Sequence, residues 1–163
     1  MDDDLRRAAE TVLARCRAKG LMLATAESCT GGLIAGALTE IAGSSDVVER
    51  GFVTYSNEAK TEMLGVAPAL IAAHGAVSDE VAAAMAEGAL ARAPVALSVA
   101  VTGIAGPGGA TPGKPVGLVW FGLARRGAKV ATEHHVFPGD RAAVRHATVL
   151  RALALLLEAA EKA

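Results

Sequence analysis

Aromatic side chains are scarce in this sequence, which contains one Trp, one Tyr and three Phe among its 163 residues. Proteins that bind single-stranded nucleic acids stack the bases on aromatic side chains, so this scarcity argues against that mode of binding. The sequence also lacks an excess of positive charge, because 16 basic residues are balanced by 17 acidic ones. A formal net charge of −1 gives no sign of a basic surface, and we predict no nucleic-acid partner.

Cysteine is rare as well, and long apolar runs are missing. Cys16 and Cys29 form neither a CxxC pair nor a cysteine-rich framework, which is typical of a protein in a reducing compartment. No apolar run reaches the roughly 18 residues that a membrane span needs, and the acidic residues 2–4 are the reverse of a signal-peptide start. The four histidines lack metal-ligand spacing. We therefore expect a cytoplasmic protein that contacts no membrane and uses neither a metal nor another cofactor.

Apolar residues, by contrast, make up 52% of the chain, which is enough for the core of one domain over residues 1–163. Helices are predicted at 5–19, 31–42, from 57, from 68, at 78–92 and at 140–161, and strands at 21–26, 51–55, 95–101, 116–124 and 129–137. Strands alternate with helices until a final hairpin. This order predicts an α/β fold, a three-layer α/β/α sandwich with a mixed, largely parallel sheet.

A serine followed by two glycines stands where the first predicted strand gives way to a helix. Ser28 would lie at the carboxyl end of the strand, and the helix after Gly31 and Gly32 would present unpaired N–H groups beside it. Such donors can hold an anion or a developing oxyanion. Ser28 can equally be an ordinary helix cap. Cys29 is either a rival nucleophile or a small buried side chain.

A second polar segment, residues 53–60, also joins a strand end to a helix, with Asn57 as the expected helix cap. Tyr55, Ser56 and Lys60 could face the same cleft. A lysine buried near Ser28 would have a lowered pKa, and its neutral amine could accept the serine proton. This is the serine–lysine form of nucleophilic catalysis. A solvated surface lysine is the alternative, and spacing does not decide between them.

Two further segments are suited to binding anions. Five glycines between residues 103 and 113 follow a strand end, where they would expose backbone N–H groups to phosphate or carbonyl oxygens. A flexible connection is the alternative. Asp140 is expected to cap the last helix, which carries Arg141 and Arg145 on one face of its first turns. These arginines would either hold a bound anion at the helix start or pair with Glu49 or Glu133.

Taken together, four segments of the chain resemble the CinA C-terminal domain family. They are AESCTGG at 26–32, TYSNEAK at 54–60, VTGIAGPGG at 101–109 and GDRxxxR at 139–145. The resemblance covers nearly the whole chain. This family includes nicotinamide-nucleotide amidases, which convert nicotinamide mononucleotide to nicotinate mononucleotide and ammonia. It also occurs behind an N-terminal domain similar to molybdopterin-binding proteins, which has no counterpart here, so the stand-alone amidase form is expected.

The resemblance implies roles for particular residues. Ser28 looks like the nucleophile and Lys60 its base, with Tyr55 assisting proton transfer. The substrate-binding set would be Glu27, Thr30, Gly31, Gly32, Thr102, Gly103, Gly106, Arg141 and Arg145. Within it, the resemblance implies that Thr102 and Gly103 line the amide site. On physical grounds, the arginines and the glycine-rich loop would hold the phosphate, and Glu27 would either order the serine loop or contact ribose.

The sequence also allows two alternative functions and leads to an expectation about the oligomeric state. A pyridine-nucleotide-binding module of the same family without hydrolytic activity would keep the pocket, and a different amidase or a cysteine hydrolase would use Cys29. Alanine-rich helices leave room for an exposed apolar face, from which we expect a homodimer. The small-molecule nucleotide would then be the substrate and a second copy of the chain the only protein partner.

Overall fold

The computed structural model describes residues 1–163, which form five strands and six helices in the predicted order. The strands are β1 (Leu23–Glu27), β2 (Val48–Val53), β3 (Leu97–Gly103), β4 (Leu118–Arg125) and β5 (Ala131–Val136). The helices are α1 (Asp3–Lys19), α2 (Leu33–Thr39), α3 (Asn57–Leu64), α4 (Pro68–His74), α5 (Asp79–Arg92) and α6 (Arg141–Lys162). None of the helices has the length and apolar character needed to cross a membrane.

The five strands form one sheet in the order β2-β1-β3-β4-β5. Strand β1 is parallel to both of its neighbours, whereas β4 is antiparallel to β3 and β5. Four strands therefore point in one direction and β4 alone points in the other. The sheet is mixed, as predicted, and β4 and β5 form the predicted hairpin.

Helices cover both faces of this sheet because its central strands are apolar on both sides. Alternate residues of β3 (Leu97, Val99 and Val101) belong to the larger apolar cluster, over which α1, α2 and α6 pack. Between them, Ala100 belongs to the opposite cluster, which lies under α5 and its neighbours α3 and α4. The predicted three layers follow from this alternation along the strand.

Polar side chains fix where several helices begin. Ser78 and Asp140 each accept a hydrogen bond from the backbone N–H three residues later, which makes both of them N-caps and confirms the cap expected at Asp140. Helix α3 differs from the prediction, because Ser56 rather than Asn57 caps it. The Asn57 side chain is therefore not needed at the cap, and Asn57 lines a cavity.

The carboxyl ends of β1, β2 and β3 lie at one edge of the sheet because these strands are parallel. Ser28 follows β1, Thr54 follows β2 and the glycine-rich loop follows β3. The start of α6 reaches the same edge, since Arg141 donates a hydrogen bond to the Gly106 carbonyl oxygen at 2.8 Å. Four segments that are far apart in the sequence thus meet in one place.

Candidate active site

Ser28 lies directly after β1, where the chain leaves the sheet. Its backbone N–H donates to the Val101 carbonyl oxygen of β3 at 3.1 Å, which holds the residue at the strand end. The residue is 8% exposed and lines a cavity of about 300 Å³. The hydroxyl is thus largely removed from bulk water but open to a small ligand.

Lys60, one turn into α3, is buried against this serine. Its Nζ lies 3.0 Å from Ser28 Oγ and 3.0 Å from the Thr54 carbonyl oxygen. The carbonyl oxygens of Tyr55 and Ser56 follow at 3.3 and 3.5 Å. Only 1% of the lysine is exposed. The amine is therefore surrounded by one hydroxyl and the carbonyls of three consecutive residues.

This environment favours an amine that can accept a proton. Burial lowers the pKa of Lys60, while weaker attraction from Cys29 and Glu58 opposes the shift. A neutral amine has two N–H donors and one lone pair. The carbonyl oxygens of Thr54 and Tyr55 are placed to accept those two hydrogens, which leaves the lone pair for the Ser28 hydroxyl. The pair therefore has the geometry of a nucleophile and its base.

Cys29 is much less suited to nucleophilic chemistry. It is 6% exposed, and burial raises the pKa of its thiol to about 11. A thiol with that pKa is almost entirely protonated at neutral pH, and the thiolate is the reactive form. Cys29 is part of the main apolar cluster, which agrees with the reading of a small buried side chain.

Tyr55 contacts the serine and the lysine through its backbone rather than through its phenol. Its carbonyl oxygen lies 3.5 Å from Ser28 Oγ, whereas its side chain is 62% exposed. The phenol oxygen accepts a hydrogen bond from Arg141 at 3.2 Å, at the rim of the cavity. The structure thus does not place the phenol where it would assist proton transfer between Ser28 and Lys60.

The N-terminus of α2 is occupied by the protein itself. The Glu27 carboxylate accepts hydrogen bonds from the backbone N–H groups of Ile34 and Ala35 at 2.8 and 3.0 Å, and from the Thr30 hydroxyl. These helix donors are therefore not free for a substrate oxyanion, contrary to the sequence-based expectation. Of the two alternatives for Glu27, ordering of the serine loop fits this geometry, because a buried carboxylate cannot reach ribose.

Gly31 and Gly32 are also not among the residues that line the Ser28 cavity. The Gly31 N–H already donates to the Ser28 carbonyl oxygen at 3.0 Å, so it cannot also serve an oxyanion. Gly32 faces a different groove, between α1, α2 and α6. Both have positive φ, and they shape the turn after the serine instead of the cavity.

The end of β3 and the loop that follows it form the opposite wall of the cavity, where Thr102, Gly103 and Gly106 all lie. The Thr102 hydroxyl donates to the Ala76 carbonyl oxygen at 2.9 Å, so it ties this wall to the loop before α5. Gly106 has a φ of +85°, and a Cβ there would lie 2.5 Å from Val116. Only glycine fits at that position.

Some residues of the wall carried no sequence signal. Ala76 and Val77, which precede α5, line the cavity beside Ala105. Apolar residues in a short connection look the same whether they line a cavity or cover the core. The spacing of the motifs therefore gave no way to find them.

The two arginines of α6 take different roles. Arg141 lines the cavity and bonds Gly106 and Tyr55. Arg145 is not among the lining residues, and its guanidinium donates instead to the carbonyl oxygens of Cys29 and Thr30 at 3.2 and 3.3 Å. Arg145 thus fastens the loop after the serine, and only Arg141 of the pair is placed to meet a ligand in this cavity.

The acidic partners considered for these arginines are engaged elsewhere. Glu49 pairs with Arg50 and Glu133 with Arg151. No group of three or more His, Cys, Asp or Glu side chains converges on a point that could hold a metal ion. The side chains that the structure brings together at this edge of the sheet include Ser28, Lys60 and Arg141.

Comparison with known proteins identifies the family of this chain. The CinA C-terminal domain family matches residues 5–160. The chain is 48% identical to the nicotinamide-nucleotide amidohydrolase PncC of Escherichia coli (strain K12) over 155 residues, which cover 95% of this chain and 94% of that protein. It is 52% identical to a CinA-like protein of Akkermansia muciniphila over 153 residues, covering 94% of this chain but 37% of the longer protein.

Solved structures show the same fold. The competence/damage inducible protein CihA from Agrobacterium tumefaciens superimposes with a TM-score of 0.95 at 49% identity, covering 98% of this chain and 97% of that one. A CinA superfamily protein from Klebsiella pneumoniae superimposes with a TM-score of 0.93 at 37% identity, covering 98% and 99%. The match over nearly the whole chain, in sequence and in structure, means that this protein belongs to the CinA C-terminal domain family.

Proposed function

We propose that this protein is a nicotinamide-nucleotide amidohydrolase that converts nicotinamide mononucleotide to nicotinate mononucleotide and ammonia. The observation that carries the proposal is the 3.0 Å contact between Ser28 Oγ and the buried Nζ of Lys60 at the cavity. The likeness to PncC of Escherichia coli, which extends over 94% of that protein, supports the choice of substrate.

In the first half of the reaction, Ser28 Oγ attacks the carboxamide carbon and Lys60 Nζ takes the hydroxyl proton. The backbone N–H groups of Cys29, Ala105 and Gly106 donate to no backbone carbonyl, and these residues line the cavity. We assign stabilisation of the tetrahedral oxyanion to this set, in place of the occupied start of α2. The protonated lysine then gives its proton to the departing nitrogen, the C–N bond breaks and ammonia leaves.

The second half releases the acid. Water attacks the resulting ester carbon while Lys60 accepts one of its protons; the bond to Ser28 Oγ then breaks, the protonated lysine returns the proton to Oγ, and the acid product ionises to the carboxylate. No redox partner or co-substrate other than water is needed. The same lysine thus acts as base and then acid in each half.

Arg141 is the residue we assign to the substrate phosphate. Its guanidinium lies at the cavity rim beside the glycine-rich loop, where it bonds the Gly106 carbonyl and the Tyr55 phenol. A phosphate bound there would place the nucleotide at a fixed distance from Ser28, and this remote binding orients the amide for attack. Arg145 is left out of this role because it holds the serine loop.

The test is release of ammonia from nicotinamide mononucleotide by the purified protein and by Ser28→Ala and Lys60→Ala variants that are shown to be folded. Ser45→Ala and Lys129→Ala are matched controls, because both residues are exposed and away from the cavity. We expect turnover by the wild type and both controls, and a loss of several orders of magnitude in the two site variants.

A wild type that binds the nucleotide without releasing ammonia would instead identify the binding module without hydrolytic activity. Retained turnover by Ser28→Ala would show that the nucleophile is wrong. Assembly as a homodimer, a cytoplasmic location and a single domain over residues 1–163 stay predictions from the sequence.

A further inference from the structure

Glu27, the last residue of β1, is the only buried acidic residue of the chain, with 1% of its surface exposed. It takes part in none of the salt bridges. A buried carboxylate without a cation must be stabilised by hydrogen bonds to its oxygens, since burial alone disfavours the charge. All of its side-chain hydrogen bonds come from the segment that follows the catalytic serine.

Three donors meet this carboxylate. Oε1 accepts from the Thr30 hydroxyl at 2.5 Å and from the Ile34 N–H at 2.8 Å, and Oε2 accepts from the Ala35 N–H at 3.0 Å. The two N–H groups belong to the first turn of α2, whose N-cap, Gly32, has no side chain to satisfy them. Glu27 therefore caps the helix from the strand on the other side of the serine loop.

The backbone of Glu27 is connected to the base as well. Its carbonyl oxygen accepts a hydrogen bond from the Thr54 N–H at 2.8 Å, and the Thr54 carbonyl oxygen lies 3.0 Å from Lys60 Nζ. Glu27 does not line the cavity, so its side chain is not placed to touch a substrate. Glu27 is thus adjacent to Ser28 and is linked to Lys60 through Thr54, so it is connected to both members of the serine–lysine dyad without touching either reacting atom.

We propose that Glu27 is a positioning residue of the dyad, which fixes the Ser28 hydroxyl relative to Lys60 by joining β1 to the start of α2, with the Thr30 hydroxyl as its necessary partner. The kinetic part of this inference rests on the proposed function. A displacement of about 1 Å in a reacting group can cost on the order of 100-fold in rate. Holding the loop on both sides of the serine prevents such a displacement.

Thr30→Val tests the proposal with the least change, because it removes the hydroxyl donor and keeps the shape of the side chain. Thr30→Ser restores the donor. Glu27→Gln keeps the length of the side chain but replaces one acceptor oxygen by an NH₂ group, which cannot accept a hydrogen bond from the donors at Thr30, Ile34 or Ala35. Thr39→Val is the matched control, since Thr39 lies on the same helix, is exposed and bonds only carbonyl oxygens of its own helix.

Each folded variant is compared in two assays. The first gives kcat and KM for nicotinamide mononucleotide, with the pH dependence of kcat/KM. The second gives the rate at which a small fluorophosphonate labels Ser28, which does not depend on the natural substrate. We expect Thr30→Val and Glu27→Gln to lower kcat and the labelling rate together by about 10- to 100-fold, with KM and the pH midpoint unchanged. Thr30→Ser should recover most of the loss, and Thr39→Val should match the wild type.

Wild-type labelling rates in folded Thr30→Val would overturn the proposal, even if Glu27→Gln fails to fold. A raised KM with unchanged kcat would also overturn it, because that result identifies a substrate contact. If the wild type labels at Ser28 but releases no ammonia, the proposed function fails while the labelling rates still decide the role of Glu27. A wild type that neither labels at Ser28 nor releases ammonia contradicts both.

Discussion

Replacing Lys60 by methionine removes the amine while keeping an unbranched side chain of similar length at a position that is 1% exposed. In the structure this amine lies 3.0 Å from Ser28 Oγ and is the only basic group that bonds it. General-base assistance contributes roughly 100- to 10,000-fold in rate, which corresponds to about 3–5 kcal/mol of transition-state stabilisation. We expect kcat of Lys60→Met to fall by a factor in this range, measured as ammonia release from nicotinamide mononucleotide.

The pH dependence gives a second and sharper part of this prediction. The base must be neutral to accept a proton, so kcat/KM of the wild type should rise with pH through the pKa of Lys60. Burial lowers that pKa below the ordinary value of about 10.4, and the rise should therefore be complete at a lower pH than for an exposed lysine. In Lys60→Met this rise should disappear.

Two results would refute the reasoning. One is a Lys60→Met variant whose activity stays within about tenfold of the wild type, below the range expected for a lost base. The other is an additive effect of the two substitutions. Ser28 and Lys60 act on one proton, so we expect the variant that carries both Ser28→Ala and Lys60→Met to be no slower than Ser28→Ala alone. If kcat of the double variant were lower than that of Ser28→Ala by the same factor that Lys60→Met loses relative to the wild type, the two residues would act independently.

Three further predictions follow, two from the surroundings of the dyad and one from a salt bridge elsewhere in the fold. Cys29→Ala should retain most of the wild-type kcat, and thiol reagents should inactivate the protein slowly, because burial raises the pKa of this thiol to about 11; rapid inactivation would favour a cysteine nucleophile. Arg141→Ala should raise KM for the mononucleotide by about 10- to 100-fold, since a charge-assisted hydrogen bond contributes about 1.5–3 kcal/mol. The same variant should match the wild type on nicotinamide riboside, which has no phosphate, and an equal loss on both substrates would contradict the assignment. Hydrogen bonding to Arg151 lowers the pKa of Glu133 to about 2. The pair therefore stabilises the folded protein fully at pH values above about 4.3, the pKa of Glu133 in the unfolded chain, and this stabilisation is lost as the pH falls towards about 2. Glu133→Gln should accordingly lower the free energy of unfolding at pH 7 by about 1–2 kcal/mol, after allowance for partial exposure, and change it little near pH 2 in denaturant titrations.

Several features of the fold could be predicted because each needs only a local pattern. The caps Ser78 and Asp140 depend on residue type and spacing, and the apolar run at 95–101 indicates a strand buried on both faces. The meeting of the motifs also follows from the sequence, because parallel strands bring their carboxyl ends to one edge. Strand and helix ends differ from the predictions by a few residues, since packing decides how far an element extends.

The directions of side chains could not be predicted in this way. Spacing places Arg141 and Arg145 on one helical face, but only the packing of α6 against the serine loop turns Arg145 towards the Cys29 carbonyl and away from the cavity. Tyr55 lies in the expected segment, yet its phenol turns outwards to Arg141 and its carbonyl turns inwards. A sequence motif determines which residues are present at a site, whereas tertiary contacts determine which atoms of each residue face the site.

Thr54 explains how a lysine can be buried beside the serine without a carboxylate partner. Its N–H bonds the Glu27 carbonyl oxygen at the end of β1, and its own carbonyl oxygen bonds Lys60 Nζ. The amine is therefore stabilised by backbone dipoles, which orient it without the strong rise in pKa that a neighbouring carboxylate would cause. A carboxylate there would keep the lysine charged and unable to accept a proton at neutral pH. Backbone carbonyls at the end of β2 allow the amine to be held in place and still act as a base.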